Sequence, residues 1–178
     1  MSGRVWVLGV DSGGSGLRVA LGAVAGETGG VRAVDSVAFT EPVRTGERGI
    51  DAGHLLERLV PAAEELLTRA GVAGRSASVT AVPLAAVPLA AVAVGAAGMA
   101  TLGDDLRATL PAALRSSLGV DRLALAADAV TAYAGALGQR PGAVVAAGTG
   151  RVRTVACRYS EVIARIDSAC AFARPKTF

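Results

Sequence analysis

The chain has 178 residues, of which 52% are hydrophobic and only 3% aromatic, so it can form one domain with a core of Ala, Val and Leu. Its net charge of +3 comes from residues 151–178, which carry six basic and two acidic side chains, whereas residues 1–150 carry 12 basic and 13 acidic ones. No basic stripe with interleaved aromatic residues is present, which argues against a nucleic-acid-binding protein.

The sequence also argues against secretion and membrane insertion. Asp11 interrupts the N-terminal apolar run, and the two cysteines, Cys157 and Cys170, are too few for a disulfide framework, so we expect a cytoplasmic protein. The uncharged stretch between Arg75 and Asp104 is long enough to span a membrane. Prolines and glycines interrupt it, however, which favours a loop followed by a buried strand.

The first motif is an apolar run over residues 5–10 that ends in the sequence DSGGSG. Leu17, Val19 and Leu21 then alternate with smaller or polar residues, which predicts a strand after the glycine-rich turn. Dinucleotide-binding folds and P-loops need a helix at that point, and neither of their glycine spacings is present. The stretch is therefore predicted to be a β-hairpin.

Such a hairpin tip can bind phosphate. Glycines allow a ligand to approach the backbone, and N–H groups and serine hydroxyls can surround phosphate oxygens. A carboxylate at the strand end would lie near the accompanying Mg²⁺ and contact it through water. The alternative is an ordinary hairpin whose glycines serve only the turn geometry. The predicted phosphate loop comprises Asp11 as the metal-site residue, with Ser12, Gly13, Gly14, Ser15 and Gly16.

A third strand is predicted over residues 31–39, followed by a polar loop. Asp51 is the expected N-cap of a helix with leucines at helical spacing, and Gly71 is its expected stop. Pro61 lies inside this pattern and predicts a kink or a restart.

A strand, a helix, a strand, a helix and a strand follow, with predicted ranges 90–96, 104–118, 122–128, 129–137 and 143–147. Asp104 or Asp105 is expected to cap the first of these helices, and Gly119 to end it. Asp128 ends a strand and is a good N-cap for the next helix. The last strand leads into a second glycine-rich turn, Gly148-Thr149-Gly150.

Four stretches, VLGVDSGGSGLRVALG, VGAAGM, LALAADAVTAYAGAL and GAVVAAGTG, resemble in the same order the N-acetylglucosamine kinases and the BadF/BadG/BcrA/BcrD ATPases of the actin–hexokinase–Hsp70 superfamily. The resemblance covers residues 4–150. It implies an α/β fold, namely a ribonuclease H-like (actin-like ATPase) lobe with a mixed sheet of about five strands flanked by helices. The first strand of a second lobe would follow.

The resemblance implies an ATP-dependent kinase for an amino sugar, with N-acetylglucosamine as the first candidate. ATP and Mg²⁺ would be the cofactors, a small sugar the partner, and a homodimer is conceivable for the full-length form. One alternative is an ATPase that activates a CoA-ester dehydratase or reductase, but those activators hold an iron–sulfur cluster through cysteines, and residues 1–150 contain none. A non-catalytic sugar-binding module is the other alternative.

The resemblance also assigns roles. Residues 11–16 correspond to the first phosphate loop, Asp128 to the catalytic aspartate that takes the proton from the acceptor hydroxyl, and Gly148, Thr149 and Gly150 to the second phosphate turn. Arg151 stands where the family usually has serine, and the usual sugar-contacting asparagine is not evident in residues 40–46.

The expected domain organisation has three parts: an N-terminal lobe over residues 1–140, the start of a truncated second lobe over 141–150, and a divergent basic tail over 151–178. We interpret the tail as a frameshifted gene end, with a genuine basic tail as the alternative. In this interpretation the strand at 143–147 lacks a hairpin partner, the tail is poorly ordered, and the chain alone is not a competent kinase.

Overall fold

The computed structural model describes residues 4–25, 30–47, 49–72, 89–99, 103–137, 140–147 and 152–157. The strands are β1 (Trp6–Gly13), β2 (Gly16–Ala25), β3 (Gly30–Phe39), β4 (Thr45–Gly46), β5 (Gly49–Ile50), β6 (Leu89–Ala96), β7 (Leu123–Ala127), β8 (Gly142–Ala147) and β9 (Val152–Cys157). The helices are α1 (Ala52–Arg69), α2 (Asp104–Leu118) and α3 (Asp128–Leu137). No helix of these ranges is long and apolar enough to cross a membrane.

Five strands form one mixed sheet in the order β3-β2-β1-β6-β7. The first three strands pair as antiparallel hairpins, whereas β6 pairs parallel with β1 and β7 parallel with β6. Helices connect the parallel strands, as they must because a parallel neighbour cannot be reached by a tight turn. This is the mixed, helix-flanked sheet expected for a ribonuclease H-like lobe, so the predicted fold class is confirmed.

The two faces of the sheet differ in side-chain size. Every second residue of β1, from Trp6 through Leu8 to Val10, is buried in the main core. Helices α1 and α2 cover this face, and their contribution is mostly leucine: Leu55, Leu59, Leu66, Leu67, Leu106, Leu110, Leu114 and Leu118. The opposite face carries glycine and alanine and is covered in part by α3, which contacts β1, β6 and β7.

Helix α1 begins as predicted. The Asp51 side chain accepts a hydrogen bond from the His54 N–H at 2.9 Å, which satisfies one of the free donors of the first turn. Gly71, with a φ of +72°, follows the last helical turn. The helix runs through Pro61, so of the two predicted outcomes the restart was wrong and the kink stays a prediction. Pro61 is exposed, and the buried residues beside it hold α1 on the sheet despite the lost hydrogen bond.

The expected cap of α2 was also wrong. Gly103 occupies the N-cap position and Asp104 and Asp105 lie within the first turn, where their charge still favours the helix. Asp105 instead accepts from the Ala52 N–H at 3.1 Å, so it caps the start of α1 across the core. The predicted stop of α2 is confirmed, since Gly119 has a left-handed φ of +66°.

Strand β8 has a hairpin partner, contrary to our expectation. It pairs antiparallel with β9, in a register that runs from Gly142 opposite Cys157 to Ala147 opposite Val152. Pairing uses main-chain N–H and C=O groups, so it does not require polar–apolar alternation in the tail sequence. Residues 158–178 lie outside the described residues, and the proposed domain boundaries remain a prediction.

The hairpin turn generates a prediction about stability. Gly16 has a φ of +132°, and a Cβ there would lie 2.0 Å from the Phe39 carbonyl oxygen. Gly16→Ala should therefore lower the free energy of unfolding by about 2–4 kcal/mol, from backbone strain and overpacking together. Urea unfolding can be followed by the fluorescence of Trp6, the single tryptophan, which is buried.

Gly13→Ala is the matched control for this substitution. A Cβ at Gly13 meets nothing within 4 Å, so the change should leave stability within about 1 kcal/mol. Equal losses in the two variants would contradict our account of the turn.

The cap of α1 predicts a pH dependence. The hydrogen bond from the His54 N–H holds the pKa of the Asp51 carboxyl below its ordinary value of 3.8. Asp51 therefore stabilises the fold above pH 3.8, and this contribution is lost as the pH falls through the lower folded-state pKa. Urea midpoints measured from about pH 5 to pH 2 should fall more steeply for the wild type than for Asp51→Asn, which keeps a neutral cap. Parallel curves would refute this assignment.

Candidate functional site

The two aspartates singled out in the sequence line the same cleft. Asp11 lies near the end of β1 on the small-residue face, and Asp128 directly follows β7 as the first residue of α3. The cleft has a volume of about 440 Å³, and Gly9, Ala20 and Ala93 also line it. Chain segments that are far apart in the sequence thus bring two carboxylates to one concave site beside the sheet.

The separation of the carboxylates follows from the strand order. Strand β6 lies between β1 and β7, so the strands that carry the aspartates are two inter-strand spacings, about 10 Å, apart. Aspartates on strands at this spacing can contact different parts of one ligand placed between them.

Arg18 also lines the cleft, and we did not predict it as a site residue. It lies on β2 directly opposite Asp11 in the hairpin register, and both side chains are exposed. Within the described part of the chain, neither side chain is seen in a hydrogen bond or an ion pair. A signal was present in the sequence, because a two-residue turn at positions 14 and 15 places residues 11 and 18 opposite each other.

The predicted phosphate loop is only partly in the expected arrangement. Gly13 pairs with Gly16 and closes the turn, and Gly14 and Ser15 are exposed at its tip. Ser12 is only 1% exposed, and its hydroxyl has no hydrogen-bond partner among the described residues. Since Ser12 alternates with Asp11 along β1, its side chain is directed to the core side and not to the cleft.

The glycines of the loop serve different purposes. Gly16 is required by the fold, because of its positive φ and the nearby Phe39 carbonyl. Gly13 has neither a positive φ nor a neighbour within 4 Å of a Cβ, and the same holds for Gly9 in the cleft. The turn alternative therefore explains Gly16, while Gly9 and Gly13 leave open backbone that a ligand can approach.

The two carboxylate oxygens of Asp128 are in different situations: one is hydrogen-bonded to the main chain, and the other is available to a ligand. Its Oδ1 accepts from the Ala129 N–H at 2.8 Å, and the residue is half-buried. Its Oδ2 makes no hydrogen bond within the described ranges. Asp128 is the first residue of α3 and not the predicted N-cap, since its oxygen accepts from the next N–H in the chain. The side chain is held by this one oxygen and can contact a ligand with the other, as the catalytic interpretation requires.

A separate polar cluster follows β3. Arg58 bonds Glu41 at 2.7 Å and lies over the Phe39 ring, and its guanidinium lowers the pKa of Glu41. The His54 Nδ1 accepts from the Arg44 N–H at 2.9 Å, and its Nε2 accepts from the Arg58 Nε–H at 3.3 Å. These contacts tether the loop after β3 to α1, so His54 has a structural role.

Two predicted features cannot be placed. Gly148, Thr149 and Gly150 lie outside the described residues, so the second phosphate turn stays a prediction. Among the described residues, no group of three or more His, Cys, Asp or Glu side chains is arranged to hold a metal ion. Asp11 would therefore be a metal-site residue only together with water and a ligand.

No protein-family model and no curated protein matches the sequence. Solved structures do. A protein from Chromobacterium violaceum that has been assigned as an N-acetylglucosamine kinase is 24% identical, with a TM-score of 0.48 over 84% of this chain and 48% of its own. A Ppx/GppA family member from Aquifex aeolicus is 12% identical, with a TM-score of 0.45 over 88% and 52%. YeaZ from Pseudomonas aeruginosa is 20% identical, with a TM-score of 0.41 over 85% and 66%.

The observed fold is a ribonuclease H-like lobe. Its order of three antiparallel strands followed by two parallel ones, with the connecting helices, is the arrangement that the sequence resemblance implied. At these identities the likeness concerns the fold alone. The chain spans about half the length of the first two of these proteins, so the activity of a whole protein is a matter for proposal.

Proposed function

We propose that this lobe binds the phosphates of Mg²⁺–ATP and takes part in phosphoryl transfer to a hydroxyl of an amino sugar, N-acetylglucosamine in the first place. The observation that supports this best is the convergence of Asp11, Arg18 and Asp128 on one cleft. The choice of an amino sugar rests on the sequence resemblance.

The residues around the hairpin suit a magnesium–phosphate group. Asp11 would hold the metal through water, since Mg²⁺ keeps much of its hydration shell. Arg18 offers a guanidinium that can pair with phosphate oxygens, and the open backbone at Gly13 allows a phosphate to come close. Mg²⁺–ATP would supply the transferable phosphoryl group and neutralise its charge.

Asp128 would act on the acceptor. Its Oδ1 is held by the Ala129 N–H, and its Oδ2 would accept a hydrogen bond from the sugar hydroxyl and orient it. As transfer proceeds, the carboxylate takes the hydroxyl proton, which is the usual role of a positioned base. The spacing of about 10 Å between the two strands leaves room for the phosphoryl group and the hydroxyl between Asp11 and Asp128.

The described cleft predicts weak binding that depends on phosphate. The described lining includes charged side chains that can bind phosphates but no aromatic side chain on which the adenine ring could stack. Mg²⁺–ATP should therefore bind with a Kd in the millimolar range, which corresponds to a binding free energy of about −4 kcal/mol. Mg²⁺–tripolyphosphate should bind within about threefold of this value. NMR shift titration of the 178-residue chain measures both, and micromolar, base-dependent affinity would contradict the prediction.

Arg18→Gln should weaken Mg²⁺–ATP binding by about tenfold or more, because a charge-assisted hydrogen bond contributes about 1.5–3 kcal/mol. Arg32→Gln is the control, since Arg32 is also exposed but lies on β3 and does not line the cleft. Equal losses of Mg²⁺–ATP affinity in the two variants would indicate nonspecific attraction between charges and would contradict the proposed phosphate site.

In an intact two-lobed form, Asp128→Asn should leave Mg²⁺–ATP affinity unchanged within threefold and lower kcat for sugar phosphorylation by about 10²-fold, the usual contribution of a general base. A coupled assay with N-acetylglucosamine gives the rate. Near-normal turnover would show that Asp128 only starts α3. ATP hydrolysis that is independent of the sugar would favour the ATPase alternative, and sugar binding without turnover the binding module.

A further inference from the structure

Helix α3 makes a very close contact with the sheet at one point. Gly95 of β6 has no side chain, and a Cβ built there would lie 2.2 Å from Thr131 Oγ1 and 2.9 Å from Thr131 Cβ and Cγ2. Such distances are not tolerated in a packed interior. The glycine at 95 is therefore what allows the Thr131 side chain to rest against the strand.

This contact lies beside both functional aspartates. Gly95 is the residue of β6 paired with Asp11 of β1, and on its other side it pairs with Ala126 of β7, two residues before Asp128. Thr131 thus rests on the strand between the two carboxylates, and it lines the same cleft.

Thr131 is also bonded to the start of the helix. Its Oγ1 donates to the main-chain carbonyl of Asp128 at 2.9 Å, while the Asp128 side chain accepts from the Ala129 N–H at 2.8 Å. One side chain therefore touches the strand position next to Asp11 and holds the helical turn that carries Asp128.

We propose that Thr131 is a positioning residue: its contact with Gly95 sets the height of the first turn of α3 above the sheet and so fixes the Asp128 carboxylate relative to Asp11. The role in catalysis rests on the proposed function, whereas the role in geometry does not. Any added volume at Gly95 must lift α3, because the backbone of β6 is held on both sides by its neighbours.

Gly95→Ala tests the geometry directly. A crystal or NMR structure of this variant should show a larger separation between the Cα atoms of Asp11 and Asp128 than in the wild type. The double variant Gly95→Ala/Thr131→Ala removes the Oγ1 and Cγ2 contacts and should bring the separation back towards the wild-type value. Gly135→Ala is the matched control on α3, because a Cβ at Gly135 meets nothing within 4 Å.

Function gives the second measurement. In an intact two-lobed form, Gly95→Ala should lower kcat for sugar phosphorylation by at least tenfold while the Kd for Mg²⁺–ATP stays within threefold, because Asp11, Arg18 and Gly13 lie on β1 and β2. The double variant should recover part of kcat, because it relieves the close contact but lacks the bond from Thr131 Oγ1 to the Asp128 carbonyl. A contact that serves only packing would lower Tm without this split between kcat and Kd.

The outcomes are distinguishable. An unchanged Asp11–Asp128 separation in Gly95→Ala, or no recovery in the double variant, overturns the inference.

If Gly95→Ala does not fold, Thr131→Val and Thr131→Ser replace it. The valine variant loses the bond to the Asp128 carbonyl and should show a displaced first turn of α3, whereas the serine variant should not. Identical structures of these two variants overturn the inference as well. A wild type that does not bind Mg²⁺–ATP, or an intact two-lobed form without turnover, refutes the proposed function and leaves the structural comparison valid.

Discussion

The alternation of side chains along β1 is the constraint on which the rest of the molecule depends. This central strand pairs with β2 on one side and β6 on the other, so its main chain is fixed from both edges. Val10 and Ser12 are directed to the core side, and Asp11 between them is exposed on the opposite face. A shift of one residue in register would bury the carboxylate among leucines, which would cost several kcal/mol, and would expose the core face.

The two faces of the sheet use residue size in opposite ways. On the core face, leucines of α1 and α2 fill the space above Val19 and Val94, which are fully buried. On the other face, small residues such as Gly9 and Ala93 project little from the sheet. A helix can lie close to such a surface, and a cleft remains where the helix does not cover it. Small side chains therefore serve both the approach of α3 and the space for a ligand.

The charges of the cleft are arranged along the order of the strands. Arg18 and Asp11 are neighbours on β2 and β1, and Asp128 lies beyond β6. A cation and a carboxylate beside the turn suit a magnesium-bound phosphate, and a more distant carboxylate suits a hydroxyl that receives the phosphoryl group. This division of roles depends on β6 lying between the two aspartates, since adjacent strands would bring the carboxylates within about 5 Å.

Much of the local structure was readable from the sequence. The strand–turn–strand of the first motif, the cap at Asp51 and the stop at Gly119 were predicted correctly, because each depends on residues close together in the chain. The failures involve contacts between distant residues. Asp105 was expected to cap its own helix but instead caps α1. The pairing of β8 with β9 was not predicted, because main-chain hydrogen bonds between strands do not require a particular pattern of side chains.

By itself, the sequence indicated which residues are candidates for the chemistry: a strand-end aspartate beside a glycine-rich turn, and a second aspartate at the junction of a strand and a helix. Only the tertiary structure decided that these two share a cleft, that Arg18 joins them, and that the Ser12 hydroxyl lies on the core side. The physical reason is that side-chain direction in a strand is known only when its burial is known. The spacing between Asp11 and Asp128 likewise follows from the strand order, which no local pattern encodes.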